Sequence, residues 1–316
     1  MTAAGRVLVT GASGFIGRWS VPALLAMGFE VHAVVSAAHG AVPDELQGAA
    51  VHRSDLLGEA AIAALIRRIL PTHMLHFAWI AQPGVYWQSP DNFSWLSASE
   101  HLLRCFHAAG GRRIVMAGSC AEYDWSGSGV CDEYASVLAD DMAAGTPAYA
   151  ACKLRLQRVL AEFSARQRVS SAWGRIFFQY GPYEHPERLV PSVIRSLLCD
   201  REALCTHGRQ IRSFLHVADV GAAFAAMLNS PVEGPVNVGS DEPIMLAELI
   251  ARIASKIGRP DLVRLGARAS SPQPPRLLPA TRRLREETAW RPRFNLDDGL
   301  SDAIRWWRGQ PAGTAP

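Results

Sequence analysis

Tyr149 and Lys153 stand four residues apart in the stretch PAYAACK, residues 147–153. On a helix that spacing puts a phenol and an ammonium on one face, about one turn apart. A tyrosine with its ordinary pKa of about 10 exchanges protons poorly at neutral pH, and a neighbouring ammonium favours the phenolate and brings the group into range. The pair is therefore a candidate acid–base device, able to give a proton to a carbonyl oxygen as hydride reaches its carbon, or to run the reverse. The competing reading is a solvated helix face, because Y-x-x-x-K is common by chance. Two further features weigh against chance. Ser119 ends the apolar run RRIVMAGS at 112–119, where its hydroxyl could hold a substrate oxygen. Gly11, Gly14 and Gly17 form G-x-x-G-x-x-G directly after the apolar run at 6–10. Glycines there let backbone N–H groups approach a pyrophosphate, and the helix that follows offers it the positive end of its dipole.

These residues need elements that end side by side. Apolar runs of strand length fall at 6–10, 30–36, 49–56, 73–79 and 112–119, separated by helix-like stretches at 17–27, 59–70 and 91–109. Continuous apolar strands alternating with helices imply a parallel sheet covered on both faces. The expected fold is α/β, a doubly wound, Rossmann-like parallel sheet forming a dinucleotide-binding domain over 1–177. Beyond residue 178 the texture changes, with prolines at 182, 186, 191, 231, 235, 243 and 260. A smaller, mixed C-terminal substrate lobe is expected over 178–316, with 211–238 returning to the first domain. There is no internal repeat, and the tail GQPAGTAP is expected to fray.

The chain has 316 residues, 49% hydrophobic and 19% charged, enough for one large or two modest domains. Its net charge of +3 is dispersed, so no nucleic-acid partner is expected. The six cysteines lie far apart without Cys-x-x-Cys spacing or partnered histidines, which suggests no metal site and no disulfide framework, and fits a reducing, cytoplasmic location. The first strand begins too early to leave room for a signal peptide, and no apolar run reaches the roughly 18 residues of a membrane span.

The glycine spacing, taken with Ser119, Tyr149 and Lys153, resembles the short-chain dehydrogenase/reductase superfamily. HFAW at 76–79, RIFFQYGP at 175–182, RQIRSFLHVADV at 209–220 and the closing RRLREETAWRPRFNLDDGLSDAIRWW resemble its extended, NAD-dependent epimerase/dehydratase branch, which acts on nucleoside-diphosphate sugars. The resemblance implies that Ser119, Tyr149 and Lys153 are catalytic and that Lys153 also holds the nicotinamide ribose. It implies cofactor contacts from Gly11, Ser13, Gly14, Phe15, Ile16 and Gly17, from Asp55 and Leu56, from Phe77, Ala78 and Trp79, and from Phe177. It implies substrate contacts from Cys120, Phe178, Trp87 and Arg212, the last gripping the diphosphate with its guanidinium fork. For His216 and Asp219, ligand contact and a local role in loop and helix capping stay equally open.

Departures from the branch bear on cofactor and reaction. NAD-specific domains carry an acid at the end of the second strand, for the ribose 2′-OH. Here VVSAAHG has none before Asp44, which permits a 2′-phosphate, with Arg18 and Ser36 as its contacts. NADP is therefore expected, with NAD possible. Phe178 stands where the branch has asparagine. Trp79, Trp87, Trp95 and Trp125 crowd the fourth and fifth strands, either as core or as an apolar wall beside a deoxygenated sugar. Dehydratases of the branch continue the serine position with an acid and a base. This chain continues with Cys120 and Ala121, and Glu122 falls one place out of register, on the opposite side of an extended chain. Simple hydride chemistry remains. NADPH-dependent reduction of a keto sugar is expected, close to the reductases of nucleotide-linked 4-keto-6-deoxysugars, and the alternative is an NAD-dependent 4-epimerase. A non-catalytic NADP sensor is disfavoured because both Tyr149 and Lys153 are kept. Apolar residues Leu154, Val159, Leu160 and Phe163, in a helix expected at 148–165, together with the helix at 91–109, suggest a homodimer.

Overall fold

The computed structural model describes residues 5–37, 40–127, 129–139, 142, 145–270 and 273–311. The first half runs β1 (Arg6–Thr10), α1 (Gly17–Ala26), β2 (Glu30–Val35), β3 (Ala50–Arg53), α2 (Glu59–Ile69), β4 (His73–His76), α3 (Asp91–Ala108), β5 (Arg113–Ser119), β6 (Val130–Cys131), α4 (Ala148–Gln167) and β7 (Ser170–Ile176). Then follow β8 (Phe178–Tyr180), α5 (Leu189–Leu198), β9 (Ala203–Leu204), β10 (Ile211–His216), α6 (Val217–Leu228), β11 (Gly234–Val238), β12 (Pro243–Met245), α7 (Leu246–Ile257), β13 (Val263–Arg264), β14 (Leu278–Pro279), α8 (Arg282–Thr288) and α9 (Leu296–Arg308).

Seven strands form a wholly parallel sheet in the order β11-β7-β5-β4-β1-β2-β3. Side chains alternate across it, so consecutive apolar residues serve opposite faces. Val7, Val9, Val31 and Ala33 pack with Val21 and Leu24 of α1 and Phe224 of α6, whereas Leu8, Val34, Met74 and Ile114 meet Leu102 and Phe106 of α3 and Leu156 of α4. This double cover explains why the strands read as unbroken apolar runs. The strand order reverses between β1 and β4, and a parallel sheet opens a crevice at the carboxyl ends beside such a reversal. The glycine turn after β1, the segment after β4 and Ser119 at the end of β5 all border it.

Two strands are shorter than the apolar runs suggest. β3 ends at Arg53, because Ser54 N–H still reaches Val35 O but the Asp55 carboxylate then accepts Leu57 N–H and turns the chain. β4 ends at His76. Phe77 N–H bonds Thr10 O, but Ala78 N–H turns to the Thr10 hydroxyl, so a side chain replaces the ladder.

After β7 the chain leaves the main sheet at once. β8 pairs with β10, and β10 with β12, in a three-stranded sheet. Behind it, Tyr180, Ile194, Leu249, Ile253, Leu300 and Trp307 from β8, α5, α7 and α9 build a third core. α6 and β11 belong to the main sheet, α6 packing on α1 and β11 pairing with β7. β14 pairs with β6, which fastens a late segment of the chain to the loop after β5. No helix among the described residues is long and apolar enough to cross a membrane.

Candidate active site

The turn after β1 is shaped by close approach. Gly11 has φ +65°, and a Cβ on it would lie 2.8 Å from Ala78 N. At Gly17 a Cβ would meet Gly11 O at 2.2 Å, so the first turn of α1 rides directly on the strand end. Gly14 is exposed, and its N–H bonds Gly11 O at 3.0 Å. Ser13, Phe15 and Ile16 flank it, half-buried. This cradle of backbone, bare at Gly14 and followed by a helix, fits the diphosphate of a nicotinamide dinucleotide. His76 braces it from β4: its ring nitrogens lie 2.7 Å from the Thr10 hydroxyl and 2.9 Å from that of Ser99. Burial, helped by the nearby Lys153, pushes His76 down to about 3 and keeps it neutral.

Not every expected cofactor residue borders the cradle. Arg18 is committed elsewhere: it donates to Ser13 O at 2.7 Å and Gly14 O at 3.3 Å, lies 3.8 Å from the Glu45 carboxylate, and stacks 3.8 Å over the Tyr183 ring. The glycine-turn carbonyls and Glu45 thus compete for the guanidinium expected at a 2′-phosphate. Phe177 is packed against Tyr123 and Leu277, with its N–H bonded to Val238 O. Leu56 is buried in the core under α2, and Phe77 packs edge-on against Phe224. Ser36 is exposed just past β2.

At the end of β5 the structure brings Ser119, Tyr149 and Lys153 together. The Ser119 hydroxyl neighbours the Tyr149 phenol and favours its ionised form. Pro147 cannot donate an N–H and fixes the entry to α4, and Tyr149 N–H is taken by Trp87 O at 3.1 Å, which sets the phenol over the strand ends. Lys153, one turn on, is buried; its Nζ donates to Ala117 O at 2.9 Å and sits 3.9 Å over the Trp79 ring. The electrostatics differ from the expectation. Burial raises the Tyr149 phenol, only the neighbouring Ser119 lowers it, and Tyr86, Glu122 and Cys120 raise it further. Lys153 is 5.9 Å from the Tyr149 ring and is itself pushed down to about 7 by burial, so it does not lower the phenol in this state.

Glu122 explains the local architecture. Fully buried, it accepts Ser119 N–H at 2.7 Å, Trp173 Nε1–H at 2.9 Å and Arg175 Nε–H at 2.8 Å. Carboxylate and indole meet directly over Gly118, where a Cβ would lie 2.1 Å from Trp173 Nε1 and 2.6 Å from Glu122 Oε1. Glu122 therefore points into the protein, away from the position of a dehydratase acid. Cys120 holds a thiol pushed up to about 12 by burial, and Ala121 is buried and inert. An acid–base pair for eliminating water is missing from these positions.

Aromatic rings wall the crevice. Trp87 stacks on Tyr86 at 5.1 Å, and both meet Tyr149 edge-on, at 5.9 and 4.8 Å. Trp125 donates to Cys120 O at 2.9 Å and packs with Phe178, while Trp95 serves the core under α3. Arg212 is buried, 5.3 Å from the Phe178 ring, and donates to the carbonyls of Ile211 and Pro274. His216 caps α6 through Ala218 N–H and faces Asp302 at 3.3 Å; Asp219 accepts the N–H groups of Arg293 and Phe294. Both have local roles. Tyr86 was not legible as a site residue, nor was Arg188, whose guanidinium lies 5.8 Å from the Tyr86 ring. Nothing in their spacing points to Tyr149.

A glycine cradle at the end of β1, a serine at the end of β5 and a Tyr–Lys pair on the next helix define a nicotinamide-dependent enzyme site. The sequence profile of the NAD-dependent epimerase/dehydratase family matches residues 7–239, and the chain belongs to that family. It is 28% identical to a dTDP-4-dehydro-6-deoxy-D-allose reductase of Streptomyces bikiniensis, over 96% of this chain and 97% of that one. It is 24% identical to a UDP-glucose 4-epimerase of Streptomyces lividans, over 98% of each. Its fold superposes on the UDP-glucose 4-epimerase of Thermotoga maritima with TM-score 0.85 at 18% identity, covering 96% of this chain and 98% of that one. On a dTDP-glucose 4,6-dehydratase of Streptomyces venezuelae the TM-score is 0.80 at 23% identity, covering 96% and 97%.

Proposed function

We propose that the protein reduces a keto group on a nucleoside-diphosphate deoxysugar with NADPH, Tyr149 supplying the proton. The observation that carries this reading is the gathering of Ser119, Tyr149 and Lys153 at the strand edge, followed by Cys120 and Ala121 with no acid–base pair for elimination. Bound in the cradle, the nicotinamide would supply the hydride. The Ser119 hydroxyl holds the substrate oxygen against the phenol, Tyr149 passes its proton to that oxygen, and the Lys153 ammonium stabilises the phenolate left behind. Tyr86, Trp87 and Trp79 offer a ring surface that suits a sugar poor in hydroxyls, and two relatives are named as deoxyallose reductases.

NADPH is favoured by the missing acid after β2 and by Arg53. The register pairs Arg53 with Val35, the last residue of β2, and the guanidinium donates to Gly40 O at 2.7 Å, across the loop where an adenosine ribose meets such folds. Relatives named as epimerases support the second reading, 4-epimerisation with retained NAD. We also place a second copy of the chain against α3 and α4. Leu160, Val159 and Phe163 are accounted for by packing within the chain, so the case rests on exposed Phe93 and Met142 beside the α3–α4 groove. Light scattering at micromolar concentration tests it; a monomer refutes it. The reaction is tested by offering 4-keto-6-deoxyhexoses on different nucleoside diphosphates and following NADPH absorbance. Stoichiometric oxidation with a reduced sugar product supports reduction. Interconversion of C4 epimers without net NADPH consumption overturns it.

A further inference from the structure

The chain holds only two lysines, Lys153 and Lys256, among 32 basic residues. Arginine stays charged in any protein setting, whereas a lysine can lose its proton when buried. Lys153 is thus a cation that can titrate, and its surroundings decide how its charge is held. Its partners are the Ala117 carbonyl and the rings of Trp79, at 3.9 Å, and Trp173, at 5.9 Å. Among the described residues no carboxylate comes within ion-pair distance of its Nζ. From its own helix Tyr149 and Cys152 face it, from β4 the neutral His76, and from the segment after β5 Glu122.

We infer that Glu122 is a positioning residue of this site: its carboxylate pins the backbone that carries Ser119 and supplies the buried counter-charge that holds an ammonium on Lys153. This inference rests on the reading of Tyr149 and Lys153 as the catalytic pair.

The geometry gives Glu122 three attachments that no solvated carboxylate would need. One oxygen takes Ser119 N–H, and the Ser119 hydroxyl accepts Ala121 N–H in return, closing a capping box around the serine. Trp173 Nε1–H lies 3.1 and 2.9 Å from the two oxygens, tying the carboxylate to the ring that also faces Lys153. Arg175 closes the other side at 2.8 Å, and its remaining N–H groups reach Glu133 O and the Gln157 amide. Arg175 thereby offsets the cost of burying Glu122. Burial drives Lys153 down to about 7, and Glu122 is the strongest charge acting the other way. An ammonium poised near neutrality is useful here, because it stabilises the phenolate formed when Tyr149 releases its proton. The same carboxylate raises Tyr149, so Glu122 favours the state in which the phenol holds the proton and the lysine holds its charge.

The test reads Lys153 directly and needs no substrate. With Lys256→Arg as background, ¹³Cε-lysine labelling leaves one lysine resonance to titrate. Removing a negative charge lowers a neighbouring lysine's pKa, so Glu122→Gln, which keeps an acceptor for Ser119 N–H, should move the Lys153 midpoint down by about one pH unit. A midpoint unmoved in the folded variant overturns the inference, because a merely structural residue changes the melting temperature and not the titration. Should the unpaired Arg175 unfold the single variant, Glu122→Gln with Arg175→Gln removes both charges and should still move the midpoint down, by less than the single variant because the lost guanidinium offsets part of the effect; a folded double variant with an unchanged midpoint also overturns it. On any keto sugar that passes the NADPH assay, the alkaline limb of kcat/KM should shift by the same amount as the resonance. Failure of that assay would sink the proposed reaction and leave the resonance result standing.

Discussion

The two halves of the crevice are built from opposite materials. The cradle after β1 is backbone: three glycines, a strand end and a helix start, in which any side chain at Gly11 or Gly17 would collide with main-chain atoms. The edge after β5 is side chain: Glu122 is held by Trp173 and Arg175, with Glu122 and Trp173 meeting over Gly118, and the buried Lys153 beside them donates to Ala117 O. A backbone site binds by shape and tolerates nothing added. A buried polar site acts by charge and tolerates nothing removed, since an orphaned buried ion costs about 3–5 kcal/mol.

The sharpest way to break that contrast is a pair of opposite mutants. Tyr149→Phe removes the proton donor and leaves the cradle untouched, so turnover should fall by about 10²–10⁴-fold while cofactor binding, read by fluorescence titration, persists. Gly17→Ala should do the reverse, abolishing cofactor binding because its Cβ would sit 2.2 Å from Gly11 O. Near-wild-type turnover in Tyr149→Phe would return the Tyr–Lys pair to a plain helix face. Lys153→Met should damage both halves, and a double mutant with Tyr149→Phe should be little worse than the more damaging single one.

Gly118→Ala comes next in size. Its Cβ would push apart the Glu122–Trp173 contact, and overpacking of this kind costs about 1–3 kcal/mol. A melting temperature within a degree of wild type would show that the edge can relax, and that it is less closely determined than the cradle.

Cofactor choice is a smaller effect. Arg53→Ala should weaken NADPH about tenfold, the value of one charge-assisted contact, and leave NADH unchanged. Arg18→Ala should weaken both alike, since Arg18 braces the turn itself. Equal losses for both cofactors in Arg53→Ala would remove Arg53 from the ribose end, and tighter NADH than NADPH in wild type would favour the epimerase reading.

An effect outside both halves of the crevice lies at Glu184, just past β8. Burial raises its carboxyl from 4.5 to about 8, and one oxygen has no hydrogen-bond partner. The folded state therefore holds a proton that the unfolded chain releases above its own lower pKa. Stability from this group is complete below about pH 4.5 and is lost as the pH climbs to about 8. Glu184→Gln should match wild type near pH 4.5 and exceed it at pH 8, seen as a higher melting temperature at pH 8 only. The same melting difference at both pH values would contradict the assignment.

Much of this molecule was legible before its structure. Apolar runs separated by helical stretches specify a covered parallel sheet, because strands buried on both faces must be apolar throughout, and the runs at 6–10, 30–36, 49–56, 73–79 and 112–119 supply five of its seven strands, β7 and β11 having gone unread. The cradle was legible because its requirement is local: three glycines within seven residues, between a strand and a helix. Ser119, Tyr149 and Lys153 were legible as residue types at the right places along the chain. What remained hidden were relations between distant residues. Glu122 reads as a misplaced acid until β7 brings Trp173 and Arg175, 51 and 53 positions later, against it. Arg18 reads as a phosphate ligand until Glu45 and Tyr183 take it. The ammonium of Lys153 reads as an aid to Tyr149 until burial brings it to about 7. Periodicity and turn chemistry are properties of neighbouring residues, so the sequence alone determined the sheet, the cradle and the identity of the reacting groups. Burial and charge pairing depend on which strands become neighbours, so only the tertiary structure decided how those groups are held and which of them carry charge.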